Sequence, residues 1–187
     1  MKARPETKAR TQLPGDLPPE RLIERMIRVD QAGEYGAVRI YEGQLAVLGR
    51  TAGAEAIRRM AQQERTHLEA FNALMVRRRV RPTALGPLWY VAGFALGAGT
   101  ALLGFKAAMA CTVAVEDVIG EHYARQIAAL APAEKALKRA FRKARRDELE
   151  HRETALAAGA REAPAYGPLT AAIKAGTRVA IWLSERI

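Results

Sequence analysis

Glu64-Arg65-Thr66-His67 and Glu148-Leu149-Glu150-His151 each set a histidine three residues after a glutamate. Each pair is preceded, about one helix-turn-helix earlier, by another glutamate: Glu34 before the first and Glu116 before the second. Residues three apart on an α-helix share nearly one face, about a turn apart. A Glu and a His at that spacing can therefore offer atoms to one point. Sixteen of the 187 residues are Glu. Chance would put Glu at that position before two of the three histidines with a probability of roughly two per cent. Glu followed by Glu-x-x-His, stated twice, is the donor order of a two-metal carboxylate site inside a four-helix bundle.

The pattern around these motifs is helical throughout, with no alternating strands and no Asn-Gly or Asp-Gly hairpin signal. Pro18 and Pro19 suit a helix start. Ile23, Ile27, Asp30, Glu34, Val38, Tyr41, Leu45 and Leu48 then form one stripe, and Gly49 reads as its stop. A second stripe runs Ile57, Met60, Glu64, His67, Phe71 and Leu74, ending before Pro82. A third carries Phe105, Met109, Thr112, Glu116, Ile119, Tyr123 and Ile127. Pro132 is expected to start a fourth helix, aligning Leu137, Phe141, Ala144, Glu148 and His151 and stopping at Gly159. A final segment runs from about Pro168 to the C-terminus. With Glu34 laid on Glu116, Tyr41 falls on Tyr123, Gln44 on Gln126, Ala46 on Ala128 and Leu48 on Leu130. The Glu-x-x-His helices superpose with a slightly larger shift that a loop can absorb. The expectation is an all-α bundle with an internal duplication and approximate twofold symmetry.

Energetics sharpen the metal reading. Four glutamates and two histidines lie on stripes otherwise made of Ile, Leu, Met, Val and Phe. Buried carboxylates without partners cost several kcal/mol per ion even after relaxation. No lysine or arginine on these stripes balances them. Two divalent metals supply the missing positive charge, and neutral imidazoles complete the shells. Mixed oxygen and imidazole donors suit iron or manganese better than calcium or structural zinc. The alternative is that some of these carboxylates face solvent. Tyr41 and Tyr123, two turns beyond Glu34 and Glu116, read as packing residues with a hydrogen bond, redox chemistry being the alternative. Asp30 and Asp147 suit either a hydrogen bond to the outer nitrogen of a ligating histidine or a plain surface role. His122 is well off the ligand face, and Glu69, Glu150 and Glu153 read as solvated.

The bulk numbers set bounds. A chain of 187 residues suits one domain with a sizeable core. Residues 21–187 are assigned to it. Residues 1–20, with Lys2, Arg4, Lys8 and Arg10, read as a flexible tail, a targeting remnant being the alternative. The single cysteine, Cys111, excludes an internal disulfide, points to a reducing compartment and lies in an apolar run as a core residue. The net charge of +10 gathers at Arg77, Arg78, Arg79 and Arg81 and again between Lys135 and Arg146. No aromatic residues interleave in a stacking arrangement, so nucleic acid is the weaker reading. A solvated face and an anionic lipid surface both remain for the second cluster.

From Pro82 to Phe105 there is no charged residue. As one helix this stretch would be roughly 36 Å long, enough for a hydrocarbon core of about 30 Å. Its glycines and Pro87 weaken a straight span. A spanning segment would also separate the two half-sites. The expectation is a broken apolar element dipping into one leaflet, flanked by the arginines at 77–81. The alternative is an internal helix whose Gly93 and Gly97 allow close packing. The C-terminal segment, with Ile173, Val179, Ile181, Trp182 and Leu183, reads as a second interfacial helix or as an amphipathic helix closing the bundle.

At this level of detail the chain resembles a known family. Arg28-Val29-Asp30-Gln31-Ala32-Gly33-Glu34-Tyr35-Gly36-Ala37, the segment around Glu64 and His67, Gly97-Ala98-Gly99-Thr100-Ala101-Leu102-Leu103-Gly104, and Ala110-Cys111-Thr112-Val113-Ala114-Val115-Glu116 carry the likeness. So do Glu148-Leu149-Glu150-His151 and the closing Arg178-Val179-Ala180-Ile181-Trp182-Leu183-Ser184-Glu185-Arg186. Together they resemble the 5-demethoxyubiquinone hydroxylases of ubiquinone biosynthesis, over roughly residues 21–187. The resemblance implies a ferritin-like four-helix bundle with additional membrane-interfacial helices, and a di-iron monooxygenase hydroxylating the demethoxyquinone ring at C6. One atom of O₂ would enter the product and the other become water. It implies metal ligands, and so catalytic residues, at Glu34, Glu64, His67, Glu116, Glu148 and His151, with the bridging glutamates left open. It implies two Fe ions, O₂ as co-substrate, NADH as a possible electron donor and a polyprenyl benzoquinone substrate. Arg25, His122, Tyr123 and Arg178 are candidate nicotinamide contacts, since no Gly-x-Gly-x-x-Gly fingerprint occurs. A membrane surface, a lipid-binding accessory protein and a homo-oligomer complete the implied partners. The implied location is peripheral, on the cytoplasmic face of a bacterial inner membrane or the matrix face of the mitochondrial one. The rival readings are a ferritin-like iron-oxidising or storage protein and a membrane-bending scaffold with a merely structural bundle.

Overall fold

The computed structural model describes residue 15 and residues 17–187, so most of the tail expected at 1–20 lies outside the described residues. Helices follow in the order α1 (Pro19–Leu48), α2 (Ala54–Arg78), α3 (Gly86–Leu102), α4 (Phe105–Ala129), α5 (Lys135–Ala157) and α6 (Tyr166–Ser184). A 3₁₀ turn at Ala160–Glu162 separates the last two, and no strand occurs among the described residues. α1 begins at the expected proline and is capped by Gly49, whose N–H reaches Leu45 O. α5 begins three residues later than Pro132 suggested. Residues 131–135 instead form a turn, with Glu134 N–H on Ala131 O and Lys135 N–H on Ala133 O. α6 begins before Pro168, which costs nothing there because the first helical N–H groups have no intrahelical partner.

α1 with α2, and α4 with α5, are the two helix hairpins of a ferritin-like four-helix bundle. α3 lies along α1 and α6 along α4, so each half is a hairpin with a third helix on its first member. Both third helices open with the same tripeptide, Gly86-Pro87-Leu88 and Gly167-Pro168-Leu169. The duplication therefore extends over three helices per half, further than the stripe alignment reached. Two apolar clusters hold the bundle on either side of its centre. One gathers Leu48, Ile57, Met60, Met109 and Val113. The other gathers Ile27, Met75, Leu137 and the rings of Phe71, Tyr123 and Phe141, whose centroids lie 5.7 to 6.3 Å apart.

Within the uncharged stretch, residues 86–102 form one continuous helix and not the broken element expected. At 17 residues, α3 is roughly 25 Å long. No described helix is long and apolar enough to cross a membrane. Its glycines make contact surfaces. A Cβ at Gly97 would lie 1.9 Å from Ile40 O, and one at Gly93 2.8 Å from Gly36 O. From the other side, a Cβ at Gly43 would lie 2.2 Å from Phe94 O. The two backbones thus touch where side chains would hold them apart. The opposite face of α3 exposes Leu88, Tyr90, Val91, Phe94 and Leu102, and α6 likewise exposes Val179 and Trp182. Gly97→Ala is expected to lower unfolding free energy by about 1–3 kcal/mol through overpacking, read as a lower urea midpoint. Gly99→Ala, where a Cβ meets nothing within 4 Å, is expected to be neutral or slightly stabilising in the same assay.

Candidate metal centre

All six expected donors meet at the centre of the bundle and are buried. α1 supplies Glu34, α2 supplies Glu64 and His67, α4 supplies Glu116, and α5 supplies Glu148 and His151. They form two overlapping sets, Glu34, Glu64, His67 and Glu148 in one and Glu64, Glu116, Glu148 and His151 in the other. In each set the ligand atoms lie within 4.8 Å of one another. Glu64 and Glu148 belong to both. Glu64 turns Oε2 to His67 Nδ1 at 3.7 Å and Oε1 to His151 Nδ1 at 2.9 Å. Glu148 turns Oε1 to His67 Nδ1 at 3.3 Å and Oε2 to His151 Nδ1 at 3.4 Å. Glu34 faces only His67, at 3.5 Å, and Glu116 only His151, at 4.0 Å.

The atoms around them orient the donors. Tyr123 Oη donates to Glu34 Oε1 at 2.5 Å, and Tyr41 Oη to Glu116 Oε1 at 3.3 Å. Each tyrosine thus binds the glutamate of the other half, which ties the two halves together. Asp147 Oδ2 lies 3.0 Å from His67 Nε2, as the sequence reading allowed. Asp30 is buried rather than on the surface, and its partners are other than His67 and His151. It accepts from Gln126 Nε2 at 2.8 Å and lies 3.5 Å from His122 Nε2. His122 is outside both donor sets. Glu69, Glu150 and Glu153 are exposed and Cys111 is fully buried. Burial pushes the Cys111 thiol up to about 12.

The donor set fits a pair of metal ions. His67 Nδ1, His151 Nδ1 and Glu64 Oε1 are buried and face the shared centre, and even the 2.9 Å approach of His151 Nδ1 to Glu64 Oε1 is not aligned as a hydrogen bond. Buried polar atoms so placed call for a cation among them. The protonation balance agrees. Burial, then the neighbouring Glu148 and Glu64, raise the Glu116 carboxyl well above its ordinary range. Burial does the same for Glu34, against the opposing pull of His67. Burial also acts to raise Glu64, but the adjoining His151 and His67 overcome it and hold that carboxyl low. Burial disfavours charge on both imidazoles, yet the surrounding carboxylates win. They raise His67 far above its usual value and His151 to about 9. Without metal, the centre keeps its charge balance with protons.

A family model described as "Ubiquinone biosynthesis protein COQ7" matches residues 21–184. The chain belongs to the COQ7 family. It is 59% identical over 180 residues to the 3-demethoxyubiquinol 3-hydroxylase of Rhodospirillum rubrum, covering 96% of this chain and 85% of that protein. It is 56% identical over 169 residues to a human protein named NADPH-dependent 3-demethoxyubiquinone 3-hydroxylase, mitochondrial, covering 88% and 78%. The Saccharomyces cerevisiae relative, named 5-demethoxyubiquinone hydroxylase, mitochondrial, is 45% identical over 182 residues, covering 88% and 78%. The human relative's name specifies NADPH, where the resemblance had offered NADH.

Sequence reasoning about this COQ7-family chain missed which glutamates face both histidines, the crossed tyrosine bonds and the Asp30–His122–Gln126 cluster. The pairing of Gln44 with Gln126 in the repeat was a signal, but their partners differ. Gln44 bonds Ala108 O at 3.1 Å where Gln126 bonds Asp30. Metal ligands must be deprotonated to bind. Divalent metal added to the metal-free protein at neutral pH is therefore expected to release at least the protons on His67 and His151. Affinity should fall as pH falls, because protons then compete for the same atoms. Titration calorimetry in two buffers of different ionisation enthalpy measures that release directly.

Proposed function

We propose that this chain is an O₂-dependent hydroxylase of ubiquinone biosynthesis that adds a hydroxyl group to the demethoxyubiquinone ring. It acts through a di-iron centre held by Glu34, Glu64, His67, Glu116, Glu148 and His151. The observation that carries the substrate class is an apolar cavity of about 260 Å³ between α1, α3, α4 and α6. Gly33, Ile40, Trp89, Leu96 and Thr177 are among its walls. Val29, Gly33, Ala37, Val115, Ile119 and Ile181 line both this cavity and the small void, about 30 Å³, beside the four glutamates. A flat apolar ring entering by this route meets the carboxylate cluster without crossing bulk water. An iron-storage shell needs a polar exterior, and the exposed apolar faces of α3 and α6 argue against it.

Bound at the six donors, two irons supply the reduction of O₂ and the transfer of one oxygen atom to the ring, the other leaving as water. The chain's own residues do the rest. Glu64 and Glu148, which face both histidines, would hold both ions. Tyr123 and Tyr41 hold Glu34 and Glu116 by hydrogen bonds. Asp147 fixes the His67 ring. The aliphatic wall of Val29, Val115, Ile119 and Ile181 keeps the cluster dry. Reduced nicotinamide has a place to approach in a cavity of about 410 Å³ lined by Arg25, His122, Arg125, Arg178 and Trp182. Three of the four candidate contacts line it, and the fourth, Tyr123, lines the neighbouring void. Arginines suit a phosphorylated cofactor.

α3 and α6 carry the same reading to the membrane. Their outward apolar faces lie peripherally in one leaflet, with the polyprenyl tail left in the lipid. The location is then the cytoplasmic face of a bacterial inner membrane or its matrix-side counterpart. A lipid-binding accessory protein and a homo-oligomer belong to the same proposal. Iron-loaded protein given reductant, O₂ and demethoxyubiquinone is expected to yield hydroxylated product, with one ¹⁸O atom from ¹⁸O₂. Glu148→Ala should bring turnover to background. Absence of product from the iron-loaded parent would refute the proposal. Val91→Asp combined with Leu102→Asp is expected to reduce co-sedimentation with anionic vesicles while leaving iron content unchanged.

A further inference from the structure

The two histidines of the cluster are equivalent in the repeat but unequal in what lies behind them. The Asp147 carboxylate that faces His67 Nε2 is held from outside by Lys143 Nζ at 2.5 Å on Oδ2 and by Arg146 Nε at 3.8 Å on Oδ1. With its outer N–H facing this pinned carboxylate, His67 has a fixed tautomer and leaves Nδ1 free to face Glu34, Glu64 and Glu148. His151 has no such support. Its Nε2 is buried and has no hydrogen-bond partner among the described residues. The ring instead lies edge-on to Tyr41, centroids 6.2 Å apart.

The repeat accounts for the difference. Asp147 immediately precedes Glu148, and the residue immediately preceding Glu64 is Gln63. The outer glutamates follow the same inequality. Glu34 receives Tyr123 Oη at 2.5 Å, whereas Glu116 receives Tyr41 Oη at 3.3 Å, and that hydroxyl also lies 3.8 Å from Met60 Sδ. A carboxylate behind a ligating histidine orients the ring and raises its basicity. Loss of such a partner typically costs roughly 10- to 100-fold in metal affinity.

Resting on the two-metal reading of the cluster, we infer that its two positions bind metal unequally. The position of Glu34 and His67, backed by Asp147, fills first and holds its ion more tightly. The position of Glu116 and His151 fills second and empties first. Glu64 and Glu148 belong to both positions, so the second ion shares carboxylates that the first already engages. Asp147 is a positioning residue, acting through His67.

Anaerobic titration of the metal-free full chain with Mn(II), followed by electron paramagnetic resonance, tests this without turnover. The first equivalent is expected to give the signal of an isolated ion, and the second to convert it to that of a coupled pair. Asp147→Asn keeps the size and an acceptor oxygen but removes the charge. It should weaken the first step by roughly 10- to 100-fold and bring the two steps together. A single cooperative step in the parent overturns the inference. So does an Asp147→Asn protein that melts earlier without its metal but keeps the parent's ratio of binding constants, which marks a merely structural role. Failure to bind any Mn(II) or Fe(II) defeats the two-metal reading itself, and is thereby distinguishable from two equal sites.

Discussion

Four carboxylates and two imidazoles share the interior of a bundle otherwise filled by aliphatic and aromatic side chains. Charges so buried cost several kcal/mol each unless something opposes them. The rest of the architecture answers that constraint. No lysine or arginine is buried among the described residues. The opposing charge is instead protonic in the metal-free protein, on histidines and raised carboxyls, and metallic in the state we propose as active. The same arrangement that makes the cluster costly to bury brings its six side chains together in place.

The cluster also shapes the packing around it. Glu34 and Glu116 come from the first helix of each half, and the Glu-x-x-His pairs from the second. Tyr41 and Tyr123 cross the interface to the opposite half. The two hairpins are therefore joined at their centre by polar groups and above and below it by apolar clusters. Outside this frame, the first helix of each half carries a third helix. On α1 the fit is so close that glycine is required at Gly43, Gly93 and Gly97. Backbone contact there leaves the larger side chains of α3 facing outward. The apolar cavity of about 260 Å³ is walled in part by the same two helices, so one packing choice gives both that cavity and an apolar outer surface.

Much of this was legible along the chain because helical periodicity reports which residues share a face. The stripes through Glu34, Glu64, Glu116 and Glu148 named the helices, their buried sides and the donors. Asp147 was recognisable as a candidate for the outer nitrogen of a histidine. Asp30 was equally eligible and turned out to serve Gln126 and His122, because a stripe position does not say which helix lies opposite. The uncharged stretch misled for a related reason. Its five glycines and Pro87 lower intrinsic helix stability, but close packing on α1 outweighs that local cost.

The sequence by itself determined the all-helical architecture, its duplication, and the six carboxylate and imidazole side chains that gather in the interior. These depend on spacing within one helix and on the cost of burying charge. Only the tertiary structure decided that Glu64 and Glu148 face both histidines, that each tyrosine serves the other half, and that His67 but not His151 has a carboxylate behind it. Those facts depend on how each helix is rotated and offset against its neighbours. The rotation is set by side chains distant in sequence, through packing that no periodicity within a single helix records.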